Sequence, residues 1–225
     1  MRERSTLLAV AFTFFCALQV ASAHEPFTPT QDPVTGAHIF RAKGCVQCHS
    51  INGVGGKDGP DLGRIEQPRS FYDLAAAMWN HLPQMAKRMW PSRVDRPYLT
   101  PNEMSDLSAF LYTPRSFDTP ERIARGERLR GGPGDPQRGQ QLVAEKGCLG
   151  CHSLTGPGGK AAGSLDWLKG LDSPWTIIAT MWNHAFLMEL KAEERKSAWP
   201  TLSADEMADL VAFLRAHAYS RYRGR

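Results

Sequence analysis

The sequence has little excess of charge of either sign. Its 225 residues carry 27 Lys and Arg against 23 Asp and Glu, a formal net charge of +4, and the basic residues form no run. Nucleic-acid-binding proteins concentrate Lys and Arg in one patch or stripe, so we expect no nucleic-acid partner. A composition of 42% hydrophobic and 22% charged residues is that of a folded globular protein.

Long apolar runs are also scarce. The longest lies in residues 7–20. Because no other run is long enough to cross a membrane, a protein with several membrane spans is excluded. Arg2 and Arg4 precede the run and Ala-Ser-Ala at 21–23 follows it, which is the pattern of a cleavable export signal. Residues 1–23 are therefore predicted to be a signal peptide that delivers the protein to a bacterial periplasm. Retention of this segment as a membrane anchor is the alternative.

Cysteine is rare, and its placement is informative. Of five cysteines, Cys16 lies in the signal peptide, and the other four form two copies of one pattern. The copies are Cys45-Val46-Gln47-Cys48-His49 and Cys148-Leu149-Gly150-Cys151-His152. No cysteine remains outside these copies, and the sequence offers no paired buried carboxylates and no Ser-His-Asp arrangement. We therefore predict no catalytic residues.

The two cysteine patterns belong to a longer internal repeat. They are 103 residues apart (148 − 45), and the same offset places Met78-Trp79-Asn80-His81 on Met181-Trp182-Asn183-His184. One register that holds across the whole unit indicates tandem duplication of a fold. We predict domains at 31–113 and 136–218, joined by a linker at 114–135 that is rich in Gly and Arg.

Each copy contains the signals of three helices. Asp32 is followed by Pro, the preferred start of a helix, Ser70 is a second candidate N-cap, and Thr100 with Glu103 forms a capping box. The second copy has Asp135, Ser173 and the pair Ser203 and Glu206 at the same positions. A glycine-rich stretch at 53–63 is predicted to lack regular structure. Because no strand-like alternation appears, the predicted fold class is all-α.

The Cys-x-x-Cys-His pattern is typical of covalent haem attachment. Two thiols three positions apart add to the two vinyl groups of one haem, and the adjacent imidazole reaches the iron. A zinc site would also use pairs of cysteines, but it needs no His after each pair. A disulfide is compatible with export, and a dithiol redox site would need a β-α-β context. The repeated His favours haem.

Each copy resembles a class I c-type cytochrome domain. The resemblance is carried by Gly36, Phe40, Gly44, the Cys-x-x-Cys-His pattern, Leu107, Phe110 and Leu111 in the first copy. In the second copy it is carried by Gly139, Gly147, the second pattern, Leu210, Phe213 and Leu214. It implies two tandem all-α domains, each with one haem c held by Cys45 and Cys48 or by Cys148 and Cys151. It also implies His49 and His152 as iron ligands, and close helix crossings at Gly36 and Gly139.

The sixth iron ligand is left open by the sequence. Each copy places a Met, a His and a second Met on one helical face, at spacings of three and four residues. Because the resembled family usually supplies Met, we expect Met85 and Met188. His81 and His184 are the alternative pair, since imidazole is also a common axial ligand. Met78 and Met181 are expected to pack in the core.

These features predict a function in electron transfer. We expect a periplasmic carrier with two haem c groups that passes single electrons between redox protein partners, with a membrane complex as one candidate docking partner. The alternative is a dihaem cytochrome subunit of a periplasmic oxidoreductase, or such an enzyme itself. The complete repeat also leads us to expect that residues 24–117 fold alone.

Overall fold

A computed structural model describes residues 31–64, 70–112, 134–171 and 173–223. The predicted signal peptide and nearly all of the predicted linker lie outside these residues. In the first copy the helices are α1 (Pro33–Ala42), α2 (Phe71–Met89) and α3 (Pro101–Tyr112); in the second they are α4 (Pro136–Glu145), α5 (Pro174–Arg195) and α6 (Ala204–Arg223). The all-α prediction is confirmed. No helix in the described part of the chain has the length and apolar character needed to cross a membrane.

The remaining regular structure consists of short segments. Strand β1 (Ser50–Ile51) pairs antiparallel with β2 (Val54–Gly55), and single 3₁₀ turns cover Cys45–Gln47, Cys148–Gly150 and Leu165–Trp167. The prediction that 53–63 lacks regular structure is wrong for Val54–Gly55. Strands of two residues are too short to show the alternation from which a strand is predicted.

The predicted helix starts are confirmed. The Asp32 carboxylate accepts a hydrogen bond from the backbone N–H two residues on at 3.0 Å, and the Ser70 hydroxyl accepts one from the N–H three residues on at 3.1 Å. Thr100 and Glu103 exchange hydrogen bonds of 2.8 and 3.2 Å. The equivalent caps in the second copy are Asp135, Ser173 and the pair Ser203 and Glu206. Each cap supplies a partner for backbone groups that a helix terminus leaves unpaired.

The first and last helices of each copy cross closely. Helix α1 packs on α3, and α4 packs on α6. A Cβ atom on Gly36 would lie only 2.7 Å from Cβ of Phe110, and one on Gly139 only 2.6 Å from Cβ of Phe213. The close crossings implied by the family resemblance are therefore present, and they need glycine at both positions.

The middle helices pack across the two copies. Helix α2 contacts α6 and α5, while α5 also contacts α3, so one hydrophobic cluster runs through both copies. Two indole hydrogen bonds cross the interface: Trp79 Nε1 donates to the carbonyl of Pro200 at 2.7 Å, and Trp182 Nε1 donates to the carbonyl of Pro97 at 2.9 Å. Each copy therefore donates one bond to the same position of the other.

A pair of asparagines repeats this exchange. Asn80 donates through Nδ2 to the Leu202 carbonyl at 2.8 Å and accepts from the Leu202 N–H at 2.9 Å. Asn183 makes the same two bonds to Leu99, at 2.8 and 2.9 Å. The interface has approximate twofold symmetry. A shared core held in this way argues against the expectation that residues 24–117 fold alone.

A proline in α2 adds a contact that the second copy lacks. Pro83 has no N–H, so it leaves the carbonyl of Trp79, four residues earlier, without its helical donor. Trp199 of the other copy donates to that carbonyl through Nε1 at 3.1 Å, and the two indole rings lie 4.6 Å apart. The interface therefore supplies the partner that the proline removes.

The equivalent contact on the other side of the interface uses different residues. Phe186 stands at the position of Pro83, and Arg96 at that of Trp199, under the offset of 103. The Arg96 guanidinium donates to the Phe186 carbonyl at 3.1 Å and lies 4.9 Å above the centre of its ring. It also lies 3.9 Å from the buried carboxylate of Glu189. The Arg96 guanidinium therefore takes the place that the Trp199 indole has on the other side.

Candidate functional site

Each Cys-x-x-Cys-His segment forms one tight turn that begins at a left-handed glycine. Gly44 has φ of 80° and Gly147 has φ of 75°, values that favour glycine. The N–H of His49 then donates to the Cys45 carbonyl at 2.9 Å, and the second copy has the same bond at the same length. The turn therefore brings two thiols and one imidazole together within five residues, as the sequence predicts.

The four cysteines of these turns are free thiols. Burial raises the pKa of the Cys45 thiol to about 11 and also raises the pKa of Cys148, because a thiolate loses hydration inside the protein. Within the described ranges, no three or more His, Cys, Asp or Glu side chains gather as a metal-binding group. A zinc site shared by the two cysteine pairs therefore finds no support in this geometry.

Both motif histidines are oriented by a backbone carbonyl. Nδ1 of His49 donates to the Pro60 carbonyl at 3.1 Å, and Nδ1 of His152 donates to the Gly163 carbonyl at 2.7 Å. A carbonyl only accepts, so Nδ1 carries the proton and Nε2 keeps its lone pair for a metal. These two carbonyls were not predicted from the sequence. The available signal was that positions 60 and 163 are related by the same offset of 103 within the loop after each motif.

The second copy contains an apolar cavity of about 270 Å³ beside its cysteine motif. Cys148 and His152 form part of its wall, and apolar side chains of α4, α5, α6 and the loop between α4 and α5 form most of the rest. Trp79 of the first copy also lines it. An apolar cavity with the Cys148 thiol and the His152 imidazole in its wall suits a large apolar group with a central metal. The residues present therefore fit a haem.

The two candidate axial residues of α5, His184 and Met188, line this cavity, and Met181 lines it as well. The ring centres of His184 and His152 lie 6.0 Å apart, with the ring planes inclined at 59°. Burial lowers the pKa of His184, and the nearby His152 imidazole lowers it further. The helix thus places an imidazole close to the predicted iron ligand, with a methionine on each side along the chain.

The first copy repeats this arrangement on α2. Burial lowers the pKa of His81, and the nearby His49 imidazole lowers it further. Met85 is half-buried and packs against the hydrophobic core, as does Met78. Both predicted sixth-ligand pairs therefore lie on the helix that faces the motif histidine.

Comparison with known proteins gives one family. The sequence model described as Cytochrome c matches residues 33–113 and 136–218, one match for each copy of the repeat. A curated protein named "Cytochrome c" from Ulva intestinalis is 39% identical over 54 residues, which is 22% of this chain. The chain spans 48% of that relative's length. No solved structure matches significantly.

Proposed function

We propose that this chain, which belongs to the cytochrome c family of electron-transfer haem proteins, is an exported cytochrome with two haem c groups. It passes single electrons between a donor and an acceptor protein. The observation that carries this proposal is the repetition of one complete attachment turn. Both copies present two free thiols and an imidazole whose Nδ1 is held by a backbone carbonyl.

The residues that would hold each haem have distinct roles. Cys45 and Cys48, and in the second copy Cys148 and Cys151, would form the thioether bonds. His49 and His152 would bind iron through Nε2, and the Nδ1 hydrogen bond makes each imidazole a more basic ligand. The bound haem supplies an iron atom that alternates between two oxidation states.

Other features of the chain support reversible electron transfer. The apolar walls of the second-copy cavity would limit contact between water and the metal, so that a change in iron charge would require little movement of solvent. The fixed imidazoles hold the ligand geometry in both oxidation states. Export is supported by the pattern of residues 1–23, with its two arginines, apolar run and small-residue cleavage site. The periplasm is therefore the proposed location.

Counting covalent haems tests the proposal directly. The protein is produced in a bacterium that exports it and matures c-type haem, and its mass is measured after acid–acetone extraction, which removes non-covalent haem. We expect the chain without residues 1–23 plus two haem masses. The variants C45A/C48A and C148A/C151A should each carry one haem, and Cys16→Ala, whose cysteine lies in the signal, should carry two. A wild-type chain that contains zinc and no haem would overturn the proposal.

A ligand test separates the carrier from the oxidoreductase alternative. A carrier has no open iron site, so cyanide and hydrogen peroxide should leave the spectrum of the two-haem protein unchanged. A high-spin component that shifts with cyanide would contradict the carrier proposal and favour a dihaem enzyme.

A further inference from the structure

We propose that His184 is the second axial ligand of the haem in the second copy, and that His81 has the same role in the first. This assignment rests on the proposed function, because it presupposes haem at both motifs. It replaces the expectation from the family resemblance that Met188 and Met85 bind the iron.

The separation of the two imidazoles carries the proposal. A bond from a first-row metal to an imidazole nitrogen is about 2 Å long. With ring bonds of about 1.3–1.4 Å, the nitrogen lies about 1.1 Å from the ring centre. Two imidazoles on opposite sides of one metal therefore have their ring centres about 6.2 Å apart. His152 and His184 have theirs 6.0 Å apart, so the space between them matches two metal–nitrogen bonds.

The position of the methionines supports the same assignment. Met188 lies four residues beyond His184 on α5, a rise of about 6 Å along the helix axis. An iron midway between the two imidazoles would therefore lie level with His184 and one helical turn away from Met188. Met181 lies three residues before His184, on the other side. Both thioethers line the cavity beside the imidazole, and we assign them to its apolar wall.

The internal repeat extends the assignment to the first copy. His81 lies at the position of His184 under the offset of 103, on a helix that also begins at a serine cap. Methionines stand three residues before it and four residues after it, as in the second copy. The first-copy helix therefore offers the same ligand to His49.

A pair of imidazoles has consequences that a His and Met pair does not have. Methionine raises the reduction potential of haem iron relative to other axial ligands, so two imidazoles place both haems at lower potential. Protein side chains would also occupy both axial positions of each iron, which leaves no site for an added ligand.

The test is the near-infrared spectrum of the ferric two-haem protein, recorded by magnetic circular dichroism. Two covalent haems per chain are first confirmed by the pyridine haemochrome assay, so that a missing haem counts against the proposed function and not against the ligand assignment. We expect a low-spin spectrum without the charge-transfer band that a thioether–iron bond produces. Such a band in the wild-type protein, lost in Met188→Leu or Met85→Leu, would overturn the assignment for that copy.

Matched variants give a second readout. His184→Gly should produce one high-spin haem, and free imidazole should restore the low-spin spectrum; His81→Gly should behave in the same way. Met188→Leu, which keeps an apolar side chain of similar size, should retain the wild-type spectrum. A low-spin spectrum in His184→Gly without added imidazole would contradict the proposal. If the glycine variants do not accumulate, the wild-type spectrum and Met188→Leu decide the assignment.

Discussion

The reciprocal asparagine contacts provide a quantitative test of the shared core. Asn80 makes two hydrogen bonds to the backbone of Leu202, a residue that is only 4% exposed. Asn183 makes the equivalent two bonds to Leu99, which is 1% exposed. Replacement of either asparagine by alanine removes both bonds and leaves a backbone N–H and a carbonyl in the interface without their partner.

The expected cost follows from the number of bonds lost. A hydrogen bond contributes about 0.5–1.5 kcal/mol net, and more where the abandoned group stays away from water. Asn80→Ala should therefore lower the free energy of unfolding by about 2 kcal/mol. In a protein of this size, that loss corresponds to about 4–8 °C in melting temperature. Asn183→Ala should have a similar effect, because its bonds have the same lengths.

The assay is thermal unfolding of the haem-loaded full chain, followed by far-ultraviolet circular dichroism. Asn102→Ala is the matched control, because Asn102 is exposed on α3 and should change stability by less than about 0.5 kcal/mol. We expect one cooperative transition in every variant. Melting temperatures of Asn80→Ala and Asn183→Ala within the range of the control, or two separate transitions in the wild-type protein, would refute the argument.

Three further predictions follow from packing and charge. A fragment of residues 24–117 should self-associate in size-exclusion chromatography, because it exposes the shared core; a folded monomer would contradict this. Gly139→Ala should lower the free energy of unfolding, measured by denaturant titration, by about 3 kcal/mol or more because of steric overlap. Gly150→Ala, with open space around it, should be close to neutral in that titration. The hydrogen bond and charge of Lys146 hold the pKa of Glu206 below its usual value, so this carboxylate stabilises the fold above the unfolded pKa of about 4.3. That stabilisation disappears as pH falls through the folded pKa, and Glu206→Gln should reduce the fall in melting temperature between about pH 6 and about pH 3; an unchanged fall would count against the ion pair.

Much of each copy could be predicted from its sequence because the signals are local. The caps at Asp32 and Ser70 use side chains that bond within three residues of the helix start. The close crossing at Gly36 followed from the family pattern, and the haem-attachment turn follows from five consecutive residues. These features depend on neighbours along the chain, which the sequence shows directly.

The contacts between the copies could not be predicted in the same way. Trp79 and Asn80 stand in a repeated segment beside the candidate ligands, and nothing in that segment points to a contact with the other copy. In the structure both residues bond to the other copy, and Trp79 lines the other copy's cavity. A repeat shows which positions are equivalent, but it does not show whether equivalent elements pack within a copy or between copies.

The sequence leaves the sixth ligand open for a related reason. Met85, His81, Met188 and His184 share one helical face in their respective helices, and helical spacing alone does not separate neighbours on a face. The separation of two rings from different elements is a tertiary quantity. It depends on how α5 packs against the motif of His152, which brings the His184 ring centre to 6.0 Å from that of His152.

The reciprocal interface has the form of a symmetric dimer that is contained in one polypeptide. In a dimer of identical chains, every substitution alters both halves of the contact at once. Fusion in one chain lets each half change alone, and the stacked indole of Trp199 on one side differs from the Arg96 and Glu189 ion pair on the other. Unlike charges near two otherwise equivalent redox centres give them unequal potentials. If each copy binds a haem, as proposed, an electron would have an energetically preferred direction between the two halves, which an identical pair of chains does not provide.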